Sequence, residues 1–217
     1  MPSELIGLFT TLQWTDYGQP RAGAEPGPGQ KATAAQTSVH YNNGAGINPT
    51  VGQILGSHPT QFHLLDQLRV SINLNPSTTF VMGWALKRSQ QFQNDLLNHE
   101  QGHYHIAALL ARDFFIDLML LKQETFPSVA AIQTRVTKIR QDTGIDRVQK
   151  IHDLYDADVH PQQAQGIMRG QAQVTWDNIF KFAFTHPRVP ATQSPDGKPH
   201  LVRLATAMSL FNRPVPP

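Results

Sequence analysis

The chain has 217 residues, 40% hydrophobic and 16% charged, enough for one packed domain and too apolar for general disorder. Eighteen Lys and Arg against 16 Asp and Glu leave a formal charge of +2. With the basic residues scattered, nothing points to a nucleic-acid partner. Cysteine is absent, which excludes disulfides, thiolate metal sites, iron–sulfur clusters and a Cys nucleophile.

In chain order, residues 11–17 predict a first strand, followed by a Gly/Pro-rich loop over 18–31. Residues 32–41 predict a second strand, closed by a turn at Asn42-Asn43-Gly44. Residues 42–60 read as loop. Leu68, Val70, Ile72 and Leu74 then alternate with polar residues, the period of a half-buried strand. A short strand over 78–82 is expected next.

From residue 86 to residue 122 there is no Pro, and Gly102 is the one Gly, so one long helix or two in tandem is predicted. A second helix carries Val129, Ile132, Val136 and Ile139 and ends near Gly144. A third carries Ile145, Val148, Ile151, Leu154 and Tyr155. A fourth is expected to begin after Pro161 and to run through Phe180. Residues 186–200 read as Pro-rich loop, with a short element at 201–211. Strands first and helices after argue an α+β class.

No window approaches 18 consecutive apolar residues, so no membrane partner or span is expected. No signal peptide is read at the N-terminus. Cytoplasmic residence, non-classical export and a trimmed secreted chain all stay open, as does the oligomeric state.

The chemistry concentrates at His99-Glu100-Gln101-Gly102-His103 on the predicted long helix. Two His four residues apart stand on one helix face, one turn apart, which suits two ligands of one tetrahedral Zn²⁺. Glu100 is one step around and can reach a metal-activated water without ligating. A chance match in a chain of this composition is expected at roughly 1 in 100. The competing reading is a helix that merely carries His and Glu. His105 falls about 200° around from His103 and is expected on another face.

The third ligand is not part of the motif. Glu124, the one Glu downstream, lies roughly 30 Å further along a continuous helix. A His or Asp is therefore expected from among His152, Asp153, Asp156, Asp158, His160, His186 and His200. The densest group is the segment 151–161, and His160 is the first choice, ahead of Asp156 and Asp158. Tyr155 is a candidate oxyanion stabiliser, with core packing as its alternative role.

The stretch Leu97-Asn98-His99-Glu100-Gln101-Gly102-His103-Tyr104-His105-Ile106-Ala107, with Ala111-Arg112 after it, resembles a bacterial family of zinc-dependent proteases of unknown function that carry a His-Glu-Gln-Gly-His motif. Leu12-Gln13-Trp14-Thr15-Asp16-Tyr17-Gly18, Ala32-Thr33-Ala34-Ala35, Tyr155-Asp156 with His160, and Gln173 with Trp176 extend the similarity over about residues 12–180. His105 stands where that family usually has an acidic residue. The resemblance implies a single zincin-like domain over 1–217. Antiparallel strands and loops would fill about 10–85, a long active-site helix and further helices 86–185, and a Pro-rich tail 186–217. In zincin-like folds an antiparallel edge strand aligns the substrate backbone, and the 68–74 run is the candidate for it.

The expected function is a zinc-dependent metallopeptidase acting on a peptide or protein substrate, with one Zn²⁺ per chain. His99, His103 and His160 are the expected ligands, Glu100 the general base and Tyr155 an assisting donor. The alternatives are a non-catalytic zincin-like scaffold, a structural metal site closed by a fourth protein ligand, and a zinc amidase acting on cell-wall peptides.

Overall fold

The computed structural model describes residues 3–27, 33–42, 49–65, 68–164, 167–189 and 200–217, with the side chains of 162, 164, 187–189 and 200 excepted. The chain is mixed α and β, built around one central helix. That helix, α1 (Gln90–Leu121), is a single uninterrupted element of 32 residues. Ser89 caps it, its hydroxyl accepting from the Phe92 N–H at 3.3 Å. The next helix, α2 (Val129–Thr143), has Ser128 in the same capping role and ends on Gly144 at φ 78°, the left-handed closure that Gly makes without steric cost.

The third helix departs from expectation. Rather than a new helix starting after Pro161, α3 (Val148–Ala164) runs through it. Proline lacks the N–H that would bond one turn back, and α3 ends within one turn of it. The stretch 151–161 is therefore helix throughout, and its side chains follow helical spacing. Two further helices follow, α4 (Gln171–Thr185) and α5 (Leu204–Leu210). Within the Pro-rich stretch read as loop, β8 (Pro187–Val189) and β9 (His200–Leu201) pair antiparallel.

In the N-terminal part, β6 (Arg69–Leu74) forms where the alternation places it, with Val70 and Ile72 buried. It is the middle strand of a three-stranded sheet, between β1 (Glu4–Ile6) and β3 (Val39–Tyr41). β1 runs parallel to it (Leu5 opposite Val70) and β3 antiparallel (His40 opposite Asn73). The sheet is therefore mixed rather than antiparallel, with β6 paired to β1 along residues 69–71 and to β3 along residues 72–74. Two antiparallel pairs complete the strands: β2 (Ala35–Gln36) with β7 (Phe80–Val81), and β4 (Val51–Ile54) with β5 (Gln61–Leu64). β4 falls in the stretch read as loop. Residues 43 and 44 of the expected turn lie outside the described residues.

Residues 11–17 are not a strand. Trp14–Tyr17 is a 3₁₀ turn, held by the Asp16 carboxylate accepting from the Gln13 N–H at 2.7 Å. Asp at that position offers the backbone a local bond that competes with extension.

α1 is buried on every side from Ile106 to Phe114, which marks a helix enclosed by other elements. The Tyr104 hydroxyl donates to the Gly7 carbonyl (2.8 Å) and the Tyr41 hydroxyl to the Ala107 carbonyl (3.1 Å), fixing the sheet against one face. On the opposite side Arg112, 2% exposed, donates to the Asp113 carboxylate and to the carbonyls of Ala183 and Val202. Asp113 in turn accepts from the Leu204 N–H at 2.8 Å. This buried pair ties α1 to the end of α4 and the start of α5. Among the described residues no helix is long and apolar enough to cross a membrane.

Candidate metal centre

His99 and His103 stand one turn apart on the face of α1 that meets α3, and both are shielded by it. From α3, Asp156 points between them. Its Oδ1 lies 3.3 Å from His99 Nε2 and 3.1 Å from His103 Nε2. These three side chains can hold a metal ion: their ligand atoms all lie within 4.8 Å of one another. Corners of a tetrahedron around an ion at about 2.0–2.1 Å are separated by roughly 3.3 Å, so the two observed separations fit such a set.

The polar atoms here are unsatisfied. Although the distances suit hydrogen bonds, Asp156 Oδ1 has no donor in hydrogen-bonding geometry, and neither His99 Nδ1 nor Glu100 Oε2 has a partner. Of four such buried atoms among the described residues, three are in this cluster. A buried polar group without a partner costs on the order of 1–3 kcal/mol, and a cation between the two Nε2 atoms would engage Asp156 Oδ1, although not His99 Nδ1 on the other side of its ring. Burial alone would raise the Asp156 pKa, but the His103 and His99 imidazoles outweigh it and hold Asp156 below the usual carboxylate range. Burial works against protonation of His103, yet Asp156 and the Glu100 charge raise its pKa. Both shifts mark a cluster that attracts positive charge.

Glu100 is 2% exposed. Its charge is felt at Tyr17, where burial first and then Glu100 push the hydroxyl above the ordinary range. The Tyr17 hydroxyl is 2.7 Å from Thr37 Oγ1, just past β2.

His160 is not the residue that lies between the two His of the motif. It sits one turn beyond Asp156, its side chain 58% exposed, with Nε2 3.5 Å from Asp156 Oδ1. The structure therefore brings Asp156 to the position expected of His160 and leaves His160 at the rim. The helical reach explains the order: residues 152, 156 and 160 share one face of α3, and the middle one falls level with the His pair. His152, the first of the three, meets the back of His103, Nδ1 to Nδ1 at 2.9 Å. Burial, then the neighbouring His103, lowers the His152 pKa to about 3, so that ring is neutral.

Tyr155 does not serve as an oxyanion donor. It is fully buried, and its hydroxyl shares its one proton between the His99 carbonyl (3.0 Å) and Gln173 Oε1 (2.8 Å). Its ring stacks on His99 at 4.8 Å and 15°, and meets His103 edge-on at 5.0 Å. Tyr155 is thus a platform under both imidazoles.

The remaining candidates point elsewhere. Asp158 accepts from Trp176 Nε1 (3.0 Å) and pairs with Arg213. Asp153 accepts from Gln149 on the exposed side of α3. His186 stacks on Phe182 at the end of α4. The side chain of His200 lies outside the described residues. His105 lies away from the centre, edge-on to Phe180 and Phe184, where burial lowers its pKa to about 4.

Sequence reasoning gave no role to Gln101 or Gln173. Gln101 accepts from the Leu12 N–H (2.7 Å) and donates to the Thr10 carbonyl (3.0 Å), pinning the N-terminal segment to α1. Gln173, fully buried, holds Tyr155 and passes its own N–H to Asp177 at 2.9 Å. Neither has a spacing that would reveal it; both act across more than 15 residues of sequence. Comparison of the chain with protein-family models, with curated proteins and with solved structures finds no match, so the centre is read from its own geometry.

Proposed function

We propose that the protein is a zinc-dependent metallopeptidase with His99, His103 and Asp156 as the protein ligands. The observation that carries this reading is the approach of Asp156 Oδ1 to both Nε2 atoms beside a buried Glu100 whose Oε2 has no partner. Two imidazoles and one carboxylate leave the fourth position of a tetrahedral ion open, the composition of catalytic rather than closed sites. A cation held there supplies Lewis-acid polarisation of a water and of a carbonyl oxygen.

Glu100 accepts the proton released from water and returns it to the leaving amine. Asp156 offsets positive charge and orients the imidazoles.

Glu100→Gln tests the reading. Zinc content near one per chain should persist, while hydrolysis across a panel of protein and cell-wall peptide substrates falls by about 10²–10⁴-fold. Undiminished turnover in that variant would remove Glu100 as the base. A second reading has His160 closing the set as a fourth ligand, favoured by its 3.5 Å approach to Asp156, which would make the site structural. His160→Ala separates the two: a closed site releases its metal, and an open one retains it.

A further inference from the structure

We infer that His152 is a positioning residue for the metal, fixing His103 in the tautomer that ligates through Nε2. The inference rests on the metal reading above and adds a residue to it. His103 is held at both ends of its ring by one face of α3. Asp156 stands 3.1 Å from Nε2, and His152 places its own Nδ1 2.9 Å from Nδ1. Residues 152 and 156 are one turn apart, so one stretch of α3 sets both contacts.

A neutral imidazole carries one N–H and one acceptor nitrogen. With the His103 Nε2 lone pair directed at a cation, its proton is on Nδ1. The His152 Nδ1 is then the acceptor, and His152 carries its proton on Nε2. Ligating His residues usually donate to a carboxylate, a carbonyl or water, which orients the ring and raises its basicity. Here the acceptor is an uncharged ring. It fixes the orientation without adding a second negative charge, leaving Asp156 as the one anionic ligand of the set. His99 contrasts with this, because its Nδ1 has no partner and its ring is held instead by stacking on Tyr155. The two imidazoles are thus positioned by different devices, both from α3.

Zinc affinity of the full chain, measured by chelator competition, tests this in wild type, His152→Ala, His152→Asn and His103→Ala. Asn can present its side-chain oxygen near the place of the ring Nδ1. His152→Ala should bind zinc roughly 10- to 100-fold more weakly. His152→Asn should recover most of the affinity. In the zinc-loaded wild type, nitrogen-15 NMR should find the His103 proton on Nδ1, exchanging slowly, and in His152→Ala exchanging fast. Affinity equal to wild type in His152→Ala, or Asn no better than Ala, overturns the inference. If wild type binds zinc and His103→Ala does not, that failure leaves the metal reading standing. If wild type itself takes up no zinc, both fall.

Discussion

Gly102 is the residue on which the meeting of α1 and α3 depends. A Cβ there would lie 2.3 Å from the Tyr155 hydroxyl oxygen and 2.6 Å from its Cζ. Gly in a helix interior costs about 1 kcal/mol relative to Ala, so an ordinary Gly→Ala change would stabilise. Here the neighbour cannot yield. Tyr155 is stacked on His99, edge-on to Trp176 at 5.2 Å, and bonded through its hydroxyl. Gly102→Ala should therefore destabilise by roughly 1–3 kcal/mol in urea unfolding and weaken metal binding, because displacing Tyr155 moves its chain neighbour Asp156. A more stable Ala variant with unchanged affinity would show that the helices have room to separate. In sequence Gly102 is the single interruption of a helical run and the fourth residue of the His-Glu-Gln-Gly-His motif; its contact is with a residue 53 positions away, which no local pattern encodes.

The elements were legible wherever periodicity was long. α2 and β6 follow from spacing, because each buries a repeating face; α1 follows from its long run without Pro, which one helix or two in tandem would equally satisfy. The end of α3 is hidden in the sequence, because Pro161 looks like a helix start and not like part of a last turn. The third ligand is hidden with it. With the segment read as loop after residue 155, no spacing rule ranked Asp156 above His160, whereas a continuous helix puts 152, 156 and 160 in register. The short strands β4 and β8 have too few residues to show alternation, and Trp14–Tyr17 obeys a cap rather than a period. The junction of α1 with α4 and α5 was likewise unreadable, because Arg112-Asp113 looks like any surface pair. Burial raises the Asp113 pKa even against the pairing with Arg112, so the charges gain little together. Separating them is another matter. Asp113→Ala leaves a guanidinium buried and uncompensated and should cost about 3–5 kcal/mol. Asp142→Ala, which breaks the exposed Lys138 pair on α2, should cost under about 1 kcal/mol. Equal midpoints for the two variants in urea would show that the Arg112 network does not hold the helices together.

At the scale of the whole molecule, α1 is shared by two halves that depend on it differently. The sheet is bound to it by tyrosine hydroxyls and apolar burial, contacts complete within the chain. α3 meets it at the His99–His103 turn, where Asp156 Oδ1 lies beside both Nε2 atoms without a donor in hydrogen-bonding geometry. A cation there would join two elements 53 residues apart, from His103 to Asp156, where the protein's own contacts are least satisfied. Binding to the folded chain alone adds about 2.7 kcal/mol when free metal is 100 times its dissociation constant. For a chain of this size that is a rise in melting temperature of about 5–10 °C. Stripping the metal with a chelator at pH 8 should lower the melting temperature by that amount, with amide exchange rising first in α3. The sign with pH follows from His103. Its pKa is raised above the ordinary 6.5, so a proton competes with the metal already above that pH, and affinity falls as the solution is acidified through it. The gap between loaded and stripped protein should therefore narrow from above pH 6.5 downward and close in acid. A melting temperature indifferent to chelator at pH 8 would mean that α1 and α3 are held by packing on Tyr155 alone.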